Sequence, residues 1–258
     1  MRGGRSLRIV AESARMQVLL MRGSPMVPLL SVVQPAAFLA VFLGGAGAQP
    51  PGQRAATVIA VLLTCSWGAT LWTAAGTLRR EVAEGTLSRN LTGVTDPRLV
   101  VLGKCLGSTL LTQGLLLGTS AVALAVTGTP VAARGAGWLV AGFALLAGSG
   151  TAMGFALCSV FVLTRYPVQV TSALTYPVYI LSGLLIPGSL LPAPLAWLSH
   201  LISLYWADQF LRRAADGGFA ARPLILLALL TAAYLAAGGL LFRQVVARAK
   251  QKGTIDLG

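Results

Sequence analysis

Charge is what this sequence has least of. Only 10% of its 258 residues are Asp, Glu, Lys or Arg, and seven of those are acidic. A water-soluble globule of this size covers itself with far more polar side chain, so that class is excluded. Histidine is represented by His200 alone, which leaves a histidine-based metal site without a second ligand of its kind. The three cysteines, Cys65, Cys105 and Cys158, stand singly in or beside apolar segments, with no CxxC spacing, and read as packing residues. No GxxxxGK[ST] loop occurs: Gly103-Lys104 is followed by Cys105 and has no glycine at the required upstream position. The chain therefore lacks the means to hydrolyse ATP alone. Aromatics are sparse among the basic clusters, so the net charge of +13 suits anionic lipid headgroups better than nucleic acid. The segment before the first long apolar run carries Arg2, Arg5, Arg8, Glu12, Arg15 and Arg22. It lacks the h-region and cleavage site of a secretory signal and is expected to remain in the mature protein.

What the chain has in abundance is apolar length. With 55% hydrophobic residues and a mean hydropathy of +0.77, its solvent must be lipid along most of its course. Six spans are expected, over about Pro28–Gly44, Ala56–Thr77, Leu99–Val126, Gly137–Leu163, Tyr166–Leu185 and Pro223–Phe242. The stretch Leu190–Leu211 is apolar too, but it holds Pro192, Pro194, His200 and Asp208. Charge decides its course. With six crossings one side collects 15 basic residues against 5 on the other, and the positive-inside rule makes that side cytoplasmic, with both termini. A seventh crossing would export Arg243, Arg248, Lys250 and Lys252, so Leu190–Leu211 is expected to dip into the outer leaflet and return. The fold class expected is an all-α membrane protein with a single transmembrane domain over residues 1–258. Its parts are a cytoplasmic interfacial helix at 1–24, a cytoplasmic loop at 78–98 and an outward-facing re-entrant segment at 187–222. In the first of these, Leu7, Val10, Ala14, Val18 and Met21 recur at helical spacing with Arg8, Glu12, Arg15 and Arg22 on another stripe. That pattern fits a helix lying on the cytoplasmic leaflet.

Proton relays and cation sites inside membranes are built from ionisable side chains at depth. Here the acidic residues Glu12, Glu81, Glu84, Asp96, Asp208, Asp216 and Asp256 all fall in tails, loops or the re-entrant segment, and Lys104, near a span end, is expected to snorkel. An ion-coupled transporter and an intramembrane enzyme are both disfavoured. Energy for transport would have to arrive by contact with another protein at the cytoplasmic face. Two hydroxyl-bearing stripes stand out: Ser66, Thr70, Thr73 and Thr77 in the second span, and Ser172, Tyr176, Tyr179 and Gly183 in the fifth, each at i, i+4, i+7 and i+11. Such faces line a partly hydrated path or pack against other helices, and spacing does not choose between the two. Gly114–Gly118 and Gly150–Gly154 are GxxxG spacings that favour close helix packing.

The loop from Arg79 to Lys104 carries the most specific signal. Glu81, Glu84, Gly85, Thr86 and Leu87, then Asp96-Pro97, then Gly103-Lys104 resemble the cytoplasmic loop of ABC type-2 exporter permeases. Ser88 stands where many members have Glu. Ser182-Gly183-Leu184-Leu185-Ile186-Pro187, with Leu191-Pro192 and the stretch through Trp197, Tyr205, Trp206, Gln209 and Arg212, resembles that family's fifth span and outward-facing re-entrant helices. The general look is similar to drug and antibiotic exporter permeases of actinobacteria. The resemblance implies a transmembrane subunit of a bacterial plasma-membrane exporter, in which a coupling helix at Glu81–Leu87 docks on a separate ATPase that binds ATP and Mg. It implies no cofactor in this chain, and a second permease, identical or paralogous. The second and fifth spans of each would line a path for a lipophilic or amphipathic drug, antibiotic, peptide or lipid. A membrane scaffold or assembly factor without transport activity is the alternative from another class, and it would not need the family-like loop.

Overall fold

The computed structural model describes residues 2–44, 50–83, 85, 96–128, 135–164, 166–184 and 192–251, and every regular element among them is helical. Among the described residues, five helices are long and apolar enough to cross a bilayer: Met26–Gly44, Gly52–Glu81, Pro97–Val126, Ala136–Phe161 and Ala221–Gln244. They correspond to the first, second, third, fourth and sixth expected spans. The fifth is represented by Pro167–Leu181, a helix of 15 residues. At 1.5 Å per residue it measures about 22 Å, short of a hydrocarbon core of about 30 Å. Its limits have local causes. Pro167 occupies the first turn, where a missing N–H costs nothing, and Gly183 at φ +82° takes the left-handed conformation that closes helices. The segment 185–191 lies outside the described residues.

The second span is the axis of the bundle, with 72% of its most apolar window buried, whereas the last span is buried over only 11% of its window. Four apolar clusters surround the axis. At one end of the bundle, Ala55, Ile59 and Leu63 pack with Leu146, Trp206, Leu211 and Leu227. At the other end, Ala74 and Leu78 meet Val101, Cys105, Phe155, Cys158 and Phe242. Leu39, Val58, Leu62, Cys65 and Leu116 join the first three spans, and Trp67 and Leu71 meet Tyr179 and Leu204. All three cysteines are buried in these contacts.

Glycine decides how closely the helices approach. A Cβ on Gly154 would lie 2.6 Å from Ala74 Cβ, and one on Gly150 3.1 Å from Thr70 Oγ1, so this GxxxG pair serves the crossing of the second and fourth spans. Gly114 and Gly118 do not pack against another helix of the chain: both are exposed, and a Cβ added to either would meet nothing within 4 Å. The expectation of tight packing there is corrected, because the third span turns its opposite face to the bundle. Gly154→Leu is expected to lower stability by roughly 1–3 kcal/mol through overpacking, while Gly114→Leu leaves it unchanged. Apparent melting temperatures of the two variants in detergent check this.

The segment after the fifth helix contains two helices, Ala193–Ser199 and Ser203–Ala215. The longer is amphipathic and buries Leu204, Ala207, Phe210, Leu211 and Ala214. It docks on the fourth span where glycines leave room: a Cβ on Gly142 would meet Leu211 at 2.7 Å, and one on Gly135 the Ala214 carbonyl at 2.3 Å. Arg212 Nε donates to both carboxylate oxygens of Asp208, one turn before it, at 2.7 Å. Burial pushes the Asp208 carboxyl up and the Arg212 guanidinium pulls it back. Tyr234 of the last span donates to the Leu201 carbonyl at 2.6 Å, and Trp206 Nε1 to the His200 carbonyl at 2.9 Å. His200 itself lies among the rings of Tyr205 and Trp206.

The N-terminal helix, Arg2–Met21, runs along the third span. A Cβ on Gly107 would come within 2.3 Å of the Ala14 carbonyl and one on Gly103 within 2.5 Å of the Val10 carbonyl, and Gln17 Nε2 donates to Ser108 Oγ at 3.2 Å. From Val10 to Met21 the stripe expected to face lipid is therefore turned to protein. Leu7, at 72% exposure, and Arg5, Arg8, Glu12, Arg15 and Arg22 stay outside.

Candidate functional site

The two roots of the 78–98 loop are tied together inside the protein. The second span does not stop at Thr77 but continues as the helix Thr77–Ala83, which keeps Glu81 within the bundle. There its carboxylate accepts from Lys104 Nζ of the third span, and both residues are buried, with 5% and 7% exposure. Two expectations are corrected: Glu81 is a span residue, and Lys104 turns inward rather than snorkelling. Removing two charges from water costs several kcal/mol per ion, which their mutual attraction offsets only in a close pair. The pairing also explains why Lys104 does not reach for the interface.

Around this pair the root is further braced. Asp96 caps the third span by accepting from Arg98 N at 3.1 Å, with Pro97 in the first turn. Arg80 Nη2 donates to the Thr73 carbonyl at 2.9 Å, and Arg79 Nη1 to the Thr164 carbonyl at 3.4 Å across the fourth span's end. Gly85 adopts φ +66°, a conformation in which glycine is favoured. Glu84, Thr86 and Leu87 of the expected coupling set lie outside the described residues, and of that set the structure describes Glu81 and Gly85.

The two hydroxyl stripes are placed differently. Ser66, Thr70, Thr73 and Thr77 are all buried inside the chain's own bundle. Thr70, Thr73 and Thr77 donate to the carbonyls of Ser66, Ala69 and Thr73, and Ser66 Oγ accepts from Gln113 Nε2 of the third span. On the fifth helix, Ser172 and Tyr176 are exposed, Tyr176 by 67%, whereas Tyr179 turns inward and its hydroxyl donates to the Thr64 carbonyl at 3.0 Å. The fifth helix thus presents a polar face outward and is anchored to the second span from its other face.

One feature of the second span has no signal in residue spacing. Thr70–Ala74 form a π-turn, in which Ala75 N donates to the Thr70 carbonyl five residues back at 3.0 Å. The Gly103–Gly107 contact with the N-terminal helix, by contrast, is a GxxxG spacing readable from the sequence.

The comparisons with known proteins agree with this architecture. The sequence pattern of the family described as ABC-2 type transporter matches residues 10–214, which takes in the N-terminal helix from Val10 onward, the first five expected spans and most of the segment expected to be re-entrant. No curated protein matches the chain. Permeases of this family are not ATPases themselves and associate with ABC ATPase subunits. The match spans well over half of the sequence, and the chain belongs to the ABC-2 type transporter family as a transmembrane subunit of an ABC-type transporter.

Proposed function

We propose that this chain is the permease of an exporter, working with a second permease and with ATPase subunits that dock on its 78–98 loop. The observation that carries this reading is the buried Glu81–Lys104 pair, which fastens both roots of that loop to the membrane helices. A force applied to such a loop moves the second and third spans together rather than bending a slack connection. Glu84, Gly85, Thr86 and Leu87 form the docking tip, with both termini on the same cytoplasmic side of the plasma membrane. The six-span topology with an outward re-entrant segment at 187–222 belongs to the same reading.

The path is assigned to the exposed face of the fifth helix, where Ser172 and Tyr176 offer a hydroxyl and a wet-ended ring toward a facing permease. Tyr179, Ser66, Thr70, Thr73 and Thr77 stand behind them and reach the path only if the second span rotates. The substrate class that fits is lipophilic or amphipathic. Cells expressing the chain with its ATPase are expected to expel ethidium or an NBD-labelled phospholipid. Ser172→Leu with Tyr176→Ala should change that efflux several-fold while the ATPase still copurifies. Native efflux in this double variant would remove the path assignment, and no efflux of either probe would count against the substrate class.

A further inference from the structure

The π-turn at Thr70–Ala74 sits between the deep part of the second span and its charged root. A π-turn holds one residue more than the α-helical ladder allows, and such turns occur mostly where a helix has work to do. Its sequence, Thr-Leu-Trp-Thr-Ala, contains no proline or glycine to impose it. The broadened turn fits because Gly150 and Gly154 of the fourth span face Thr70 and Ala74. Side chains hold the ladder around it. The Thr73 carbonyl accepts from Thr77 Oγ1 at 3.1 Å and also from Arg80 Nη2 at 2.9 Å. An arginine near a membrane edge ordinarily extends toward water. This guanidinium instead follows the helical Cα–Cβ tilt back toward the membrane interior, seven residues up the chain. It leaves from the residue next to Glu81, at the root of the loop.

We propose that Arg80 is a positioning residue for energy coupling: it holds the Thr70–Ala74 π-turn through the Thr73 carbonyl, and movement of the loop root withdraws it and lets the turn relax to α-helix. This rests on the reading that the 78–98 loop docks on an ATPase. Absorbing the extra residue into the ladder turns the outer part of the second span by about 100° and shifts it about 1.5 Å relative to its root. Ser66 and Thr70 then change the face they present, while Thr77 and Glu81 stay with the loop. The permease thereby owns a two-state element that a cytoplasmic contact biases.

Backbone hydrogen exchange, read by mass spectrometry on the chain in lipid nanodiscs with and without its ATPase, tests the proposal. In the isolated chain, Arg80→Gln should speed exchange of the Thr70–Ala75 amides roughly tenfold, the equivalent of one charge-assisted hydrogen bond of about 1.4 kcal/mol. Arg80→Lys, which keeps a charged donor, should stay near native. In the native complex, trapping the ATPase with ATP and vanadate should alter exchange at Thr70–Ala75. In Arg80→Gln the ATPase should still copurify and the 78–98 loop still respond to trapping, while the response at Thr70–Ala75 is lost. Native exchange in Arg80→Gln overturns the proposal. So does a faster exchange that leaves the nucleotide response intact, which is what a merely structural role gives, and so does a native complex with no response at these amides. If no ATPase copurifies with the native chain, the docking reading beneath the proposal fails, and the proposal with it.

Discussion

Lys104→Met is expected to destabilise the isolated permease by about 3–5 kcal/mol, the cost of leaving a buried carboxylate after its countercharge is removed. Glu81 and Lys104 are both almost fully inside the bundle, so solvent screening offers little relief. The apparent melting temperature in detergent should fall by several degrees. The double variant Glu81→Gln, Lys104→Met should recover most of the loss, because a neutral pair of similar volume demands no charge burial. Single and double variants that melt together would show that the pair contributes no mutual stabilisation. The double variant also separates stability from coupling. It should fold and bind the ATPase, yet transmit less, since the loop roots are no longer bound by a charge contact.

The second large effect concerns the N-terminal helix. Gly103 and Gly107 let Val10 and Ala14 approach within distances that no side chain at those positions tolerates, and the Ala14 carbonyl would stand 2.3 Å from a Cβ on Gly107. The obstacle is backbone, which does not give way as a flexible side chain does. Gly107→Val is therefore expected to push the helix from the third span at a cost of roughly 1–3 kcal/mol. Limited trypsin digestion at the exposed Arg8 and Arg15 reads the release, with cleavage about tenfold faster if opening becomes easier by about 1.4 kcal/mol. Loss of the Gln17–Ser108 hydrogen bond accompanies it. An unchanged digestion rate would place the restraint on this helix elsewhere.

The sequence is most informative where lipid is the solvent. Apolar length alone locates Met26–Gly44, Pro97–Val126 and Ala221–Gln244 to within a few residues, because a bilayer of fixed thickness leaves little freedom. It is least informative where burial depends on which helix faces which. Glu81 and Lys104 lie 23 positions apart and read separately as loop and interface residues. Only the continuation of the second span past Thr77 brings them face to face. The amphipathic stripe of the N-terminal helix is visible as a period, but a period does not say whether protein or headgroups receive it. Glycines 103 and 107 settle that from Val10 onward. The shortness of the fifth helix follows from Pro167 and Gly183, both visible in the sequence, whereas its high hydropathy suggests a full crossing. The π-turn at Thr70–Ala74 is invisible in composition, since it is stabilised by Arg80 and by two glycines from another span.

Separate ATPase subunits are proposed to drive this permease through the 78–98 loop, and coexpression puts that dependence to the test. The chain is coexpressed with an ABC ATPase encoded beside it, and the purified complex is assayed in lipid nanodiscs for copurification and ATP turnover. Native protein is compared with Glu84→Ala, Leu87→Ala. A stable native complex is expected, with a double variant that loses the complex or its permease-dependent turnover. A variant with native assembly and turnover would move the docking site off this loop, and a native chain that binds no ATPase would rule out drive by separate ATPase subunits.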